Sequence, residues 1–127
     1  MPTIDEVLDD ARRQLSRVSV ADLPGELAAG SLLVDIRPIA QRREFGQIPG
    51  SLVIERNVLE WRLDPVSEAR LPAAVDHDVR VIVVCQEGFA SSLAAVSLHD
   101  LGLHRATDLV GGVRAWIDAG GSTELPE

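Results

Sequence analysis

Lysine and tyrosine are absent from this sequence, and cysteine occurs once, at Cys85. Without lysine there is no Schiff-base nucleophile and no P-loop cation. Without tyrosine there is no catalytic phenol, whatever the fold. One cysteine cannot close an internal disulfide. His77, His99 and His104 stand at no zinc-like spacing from Cys85 or from one another, so a structural metal site is not expected. No apolar run reaches the length of a membrane span. The acidic start Thr3-Ile4-Asp5-Glu6 lacks the basic-then-apolar order of a signal peptide. The expectation from these absences is a soluble, cytoplasmic protein with no membrane partner.

What is present fits one ordinary globular domain. The 127 residues suffice for a single core, with 46% hydrophobic and 25% charged residues. Twenty acidic residues against twelve basic ones, all arginine, leave a net charge of −8. Such a surface is poorly suited to neutralise phosphates, so nucleic acid is not an expected partner.

Along the chain, Ile4, Val7, Leu8, Ala11 and Leu15 recur at helical spacing, with Asp5, Glu6, Asp9, Asp10, Arg12 and Arg13 elsewhere on the helix. Residues 1–17 are expected to form an amphipathic helix packed on a domain spanning 18–127, or alternatively against a second copy, which leaves monomer and homodimer both open. Ser19-x-x-Asp22 resembles a helix start, delayed by Pro24, with a stop at Gly30. Ser31–Arg37 reads as a buried strand, Ile39–Phe45 as a helix opened by Pro38, Gly46–Gly50 as a turn and Ser51–Ile54 as a strand. A helical turn capped by Asn57 is expected over 57–63, then a surface connection to Asp78 with room for one helix. Arg80–Cys85 carries four successive β-branched residues and suits a strand buried on both faces. Ser91–Leu101 reads as a helix, Ala106–Val110 as a last strand, and the residues after Gly111-Gly112 as a closing helix around Trp116. Strands alternating with helices imply an α/β domain whose mainly parallel sheet of four to five strands is covered on both faces.

The chemistry concentrates in Cys85-Gln86-Glu87-Gly88-Phe89-Ala90-Ser91-Ser92, between the strongest strand and a helix. In open α/β sheets, ligands gather at the carboxyl ends of strands. Gly88 permits the tight curl that points successive amides inward as an anion nest, and Ser91 or Ser92 is placed to cap the following helix. Amides and a helix N-terminus favour a thiolate at such a position. The competing reading is that Cys85 is a small buried hydrophobe.

The run Cys85-x-x-Gly88-x-x-Ser91 resembles the active-site loop of rhodanese-type sulfurtransferases. Three further stretches resemble that family in the same order: Asp35-Ile36-Arg37 its strand-ending Asp-x-Arg, Gly46-Gln47-Ile48-Pro49-Gly50-Ser51 its Gly-His-Ile-Pro-Gly-Ala turn, and Gly111-Gly112-Val113-Arg114-Ala115-Trp116 its closing Gly-Gly-x-x-Ala-Trp. The resemblance implies a rhodanese-like fold. It implies that Cys85 takes sulfane sulfur from thiosulfate or a persulfide and hands it to a thiol or cyanide-like acceptor, with Gln86, Glu87, Gly88, Phe89, Ala90 and Ser91 forming the cradle and no cofactor required. Two departures stand out. Many members carry arginine where this chain has Ala90, and Glu87 adds a carboxylate that disfavours an anionic donor. Either another arginine reaches in, with Arg56 and Arg62 as candidates, or thiosulfate is a poor donor. Gln47 in place of histidine reads as a structural change in a turn.

Among the remaining residues, Asp35 and Arg37 are expected to form a local ion pair, and Glu44 to sit on a solvated helix face. Trp61 and Trp116 are expected to pack helices, Phe89 to shape the mouth of the site, and His99 to be satisfied or exposed. Two other functions compete. One is a non-catalytic binding or regulatory module on the same fold. The other is a related cysteine phosphatase or arsenate reductase, which needs an arginine closing the loop where this chain has Ala90-Ser91-Ser92.

Overall fold

The β-branched run Val81–Val84 forms the central strand β3, with all four residues buried. In the computed structural model, which describes residues 1–127, β3 pairs in parallel with β1 (Leu32–Asp35) and β4 (Thr107–Asp108), and β1 pairs in parallel with β2 (Leu52–Val53). The order is β2-β1-β3-β4, a four-stranded parallel sheet. Each strand is shorter than its sequence signal. A fifth strand is present only as a parallel bridge between Val18 and Leu109. There the Val18 amide donates to the Asp108 carbonyl at 3.0 Å, and the Val110 amide to the Val18 carbonyl at 2.8 Å. The register sets Asp35 opposite Val53 and Val84, aligning the carboxyl ends of three strands just before Cys85.

Alternate strand residues feed two cores, as the pleat requires. Val34, Ile36, Val81, Val83 and Cys85 meet Leu59 and Leu63 of α4 (Leu59–Leu63) and Ala94, Ala95 and Leu98 of α5 (Ala90–His99). On the other face, Leu33, Ile82, Val84 and Leu109 meet Leu23 of α2 (Leu23–Ala28) and Val113 of α6 (Gly112–Asp118), with Trp116 and Ile117 packed at the edge. Helix α3 (Ile39–Phe45) follows β1 and carries the exposed Glu44. At the amino end of β3, the Arg80 guanidinium hydrogen-bonds Glu26 and holds its carboxyl below the usual 4.5.

Helix α1 (Ile4–Arg13) starts at Thr3, whose hydroxyl accepts from the Glu6 amide at 3.2 Å, and it ends four residues before the expected stop. Leu8 and Ala11 are buried against the domain, α1 packs on α5, and Ile4 and Val7 remain exposed. Three local expectations are corrected. Trp61 is 61% exposed, because the short α4 buries Leu59 and Leu63, one helical turn apart, and Trp61 between them falls on the opposite side. Asn57 does not cap that turn: it lies inside a 3₁₀ segment, Arg56–Val58. The connection from Asp64 to Asp78 contains no helix. His99 is satisfied, its Nε2 lying 2.7 Å from the Ala106 carbonyl. No helix is long and apolar enough to cross a membrane.

Candidate active site

Cys85 leaves β3 at the carboxyl edge of the sheet, 7% exposed. The chain then curls through Gln86–Phe89 into α5, and the amides of Gly88 and Ser91 donate to Cys85 Sγ at 3.2 and 3.3 Å. The amides of Gln86, Glu87 and Phe89 donate to no acceptor in the protein. Two hydrogen bonds converging on one sulfur, with neighbouring donors unused, form a cradle that an anionic sulfur or its terminal atom can fill.

Two glycines make the curl possible. Gly88 has φ +85°, and a Cβ there would lie 2.7 Å from the Gly111 nitrogen. Gly112 has φ +62°, and a Cβ there would lie 2.4 Å from the Cys85 carbonyl oxygen. The loop and the start of α6 therefore touch backbone to backbone. The Val113 amide donates to the Cys85 carbonyl and the Arg114 amide to the Gln86 carbonyl, each at 3.0 Å.

Behind the loop, polar groups are fully paired. Asp35 and Arg37 form the expected local ion pair, buried, with Arg37 Nε and Nη2 reaching the carboxylate at 3.0 and 2.7 Å. The same guanidinium donates to the Gly46 carbonyl at 2.7 Å and to Gln86 Oε1 at 2.9 Å, tying turn, strand end and loop together. Gln47 is structural, as read: its backbone pairs with Glu124 and its Oε1 accepts from Arg42 at 3.1 Å. Ser91 and Ser92 do not cap α5. Their hydroxyls donate to Asp108 Oδ2 at 2.7 and 2.8 Å, drawn by a buried carboxylate that also receives Arg17 at 2.8 and 3.1 Å.

Cys85, Gln86, Glu87, Phe89 and Ala90 line an opening of about 220 Å³, together with Gln41 of α3. Gly88 and Ser91 take part through their amides. Phe89 is exposed at the mouth, with the Arg12 guanidinium 5.5 Å from its ring centroid. Glu87 is the one charged side chain lining the opening. Arg56 and Arg62 are not brought to the loop. Arg56 pairs with Glu60 at 2.9 Å, and Arg62 donates to the Ala69 carbonyl at 2.5 Å. The arginines that do reach the loop backbone are Arg12 and Arg17, both donating to the Gly88 carbonyl, at 2.8 and 3.1 Å. Sequence reasoning missed these two, Gln41 and Asp108. Nothing local distinguishes Arg12 from other arginines on a solvated helix face. Two larger hollows, one of about 420 Å³ beside Trp116 and one of about 380 Å³ around Arg80, are not lined by the cysteine.

Comparison with known proteins gives a consistent set of relatives. Residues 19–119 match the model of the rhodanese-like domain. Over 85 residues the chain is 35% identical to the adenylyltransferase and sulfurtransferase MOCS3-2 of Zea mays, a stretch covering 67% of this chain and 17% of that protein. The chain spans no more than a fifth of the length of such plant and fungal relatives. Among solved structures, a Rhodopseudomonas palustris protein of unknown function, described as a possible tyrosine phosphatase, superposes with TM-score 0.87 at 33% identity, covering 98% of this chain and 96% of that one. The human single-domain sulfurtransferase TSTD1 superposes with TM-score 0.64 at 27% identity, covering 80% and 95%. With its parallel sheet, its cradled cysteine and a family match across most of its length, this chain belongs to the rhodanese-like domain family.

Proposed function

We propose that this protein is a sulfurtransferase in which Cys85 carries sulfane sulfur as a persulfide, with a small or protein-borne persulfide as the preferred donor and a thiolate or cyanide-like ion as acceptor. The observation that carries the reading is the pair of amides aimed at Sγ beside unused donors, at the edge of an opening from solvent. In the first step the Cys85 thiolate attacks the outer sulfur of the donor. A new S–S bond forms, the donor's own S–S bond breaks, and the electron pair leaves on the donor's thiolate, or on sulfite when the donor is thiosulfate. In the second step the acceptor attacks the outer sulfur and Cys85 departs as thiolate, so cyanide would leave as thiocyanate. Neither step needs an outside oxidant or reductant. The amides of Gln86–Ala90 and Ser91 hold the negative charge that appears on the outer sulfur.

The preference for a persulfide rests on charge. No guanidinium lines the opening, and Glu87 does, so a dianion approaches against a carboxylate. Glu87→Gln is expected to raise the rate of loading from thiosulfate about fivefold at low salt, with the gain shrinking as salt screens it. Rates measured by stopped sampling and intact mass check this. An unchanged rate means the carboxylate points away from the incoming donor.

A phosphatase reading is raised by the possible tyrosine phosphatase from R. palustris. That chemistry clamps a tetrahedral dianion with an arginine closing the loop and needs an acid for the leaving group. Ala90, Ser91 and Ser92 occupy those places here, which favours sulfur transfer. The deciding experiment is intact mass after incubation with thiosulfate and, separately, with a small persulfide, followed by cyanide. Gain of one sulfur atom, removed by cyanide, supports the carrier. No gain with either donor in folded protein favours a non-catalytic binding module instead.

A further inference from the structure

We propose that Arg12, on helix α1, is a positioning residue for the Cys85 loop and acts together with Arg17; the proposal rests on Cys85 being the sulfur carrier. Both residues lie outside the segment matched by the family model, residues 19–119, and both donate to the Gly88 carbonyl oxygen, at 2.8 and 3.1 Å. Arg12 spans the loop. Its Nη2 holds Gly88, its Nε donates to Ser92 Oγ in the first turn of α5 at 3.2 Å, and its plane lies over Phe89, 5.5 Å from the ring centroid. Arg17 is fixed in turn by its two bonds to the buried Asp108.

The consequence follows from peptide geometry. In a planar trans peptide the C=O and the following N–H point in opposite directions. Two guanidinium groups drawing the Gly88 carbonyl outward therefore turn the Phe89 N–H toward the loop interior, where it has no protein acceptor. The positive charge on the carbonyl side also reinforces the dipole of the Gly88–Phe89 peptide, whose N–H is left without a protein acceptor. A loop with Ala90 and Glu87 supplies no cation of its own. Here the charge comes from Arg12, 76 residues earlier on a helix held in place by the buried Leu8 and Ala11, and from Arg17, 71 residues earlier in the segment after that helix.

The test compares wild type with Arg12→Ala, Arg12→Lys and the control Arg13→Ala, whose side chain pairs with Asp10 on the exposed side of α1. Saturation kinetics of Cys85 loading from a small persulfide are followed by intact mass, and amide resonances are recorded on sulfur-free protein. The expected result is a maximal loading rate reduced about tenfold in Arg12→Ala with the half-saturating donor concentration unchanged, partial rescue in Arg12→Lys, and wild-type behaviour in Arg13→Ala. The amide resonances of Gly88, Phe89 and Ser91 should shift in Arg12→Ala while those of β1 and β3 stay in place. A wild-type maximal rate, a change confined to the half-saturating concentration, or unmoved loop resonances overturns the proposal. If Arg12→Ala does not fold, the comparison is made between wild type and Arg12→Lys. Should wild type itself take up no sulfur, the sulfur-carrier reading fails and the loop resonances alone decide whether Arg12 sets the loop.

Discussion

Cys85→Ser is expected to abolish sulfur uptake from every donor while moving the thermal midpoint by only a few degrees. The serine hydroxyl is nearly isosteric with the thiol and can still accept from the Gly88 and Ser91 amides, so the loop keeps its two converging bonds. The cost in stability should be about 1 kcal/mol, from a shorter bond and a more polar atom at a site only 7% exposed. The loss of chemistry is complete because an un-ionised hydroxyl held by two amides, with no side-chain base hydrogen-bonded to it, does not attack a donor sulfur. Intact mass after donor treatment and a melting curve on the same sample check both halves. A variant that fails to fold would return Cys85 to the role of a buried structural side chain.

Arg37→Ala should be the most destabilising single change near the site. Asp35 is wholly buried and Arg37 is 1% exposed. Removing the guanidinium leaves a buried carboxylate with only the residue-37 amide as donor, strips the Gly46 carbonyl of its partner and frees Gln86. Breaking one side of a buried pair costs roughly 3–5 kcal/mol, a large share of the 5–15 kcal/mol that holds a typical domain together. Urea unfolding at constant m-value measures it. The double change Asp35→Leu with Arg37→Met should recover a good part of the loss, since no uncompensated charge remains. A loss under about 1 kcal/mol in Arg37→Ala would mean that water reaches Asp35 and takes over the guanidinium's role.

How far the site could be read in advance differed residue by residue. Cys85, Gly88 and the strand before them were legible because their cues are local: a β-branched run, then a glycine, then small polar residues. The ion pair of Asp35 and Arg37 was legible for the same reason, two residues apart at a strand end. Arg56 was a poor candidate for the loop on local grounds as well, since Glu60 stands one helical turn away and claims it. Ser91 and Ser92 looked like helix caps because capping is what serine does at that position. Their hydroxyls instead meet a carboxylate 17 and 16 residues later.

By itself, the sequence determined the order of strands and helices, the parallel sheet, the place of Cys85 at a strand end and the glycine motifs, all of which follow from periodicities of two and 3.6 and from backbone freedom at particular residues. Tertiary structure alone decided which distant charges brace the Cys85 loop. Arg12, Arg17 and Asp108 come from the first helix, the segment after it and the last strand, and the fold places them around one loop. A salt bridge or a carbonyl contact is satisfied by whichever partner the packing delivers, and chain separation leaves no trace of it in local pattern. The strands and the loop were therefore readable one segment at a time, whereas the cations of the loop emerged only when α1 had docked on α5.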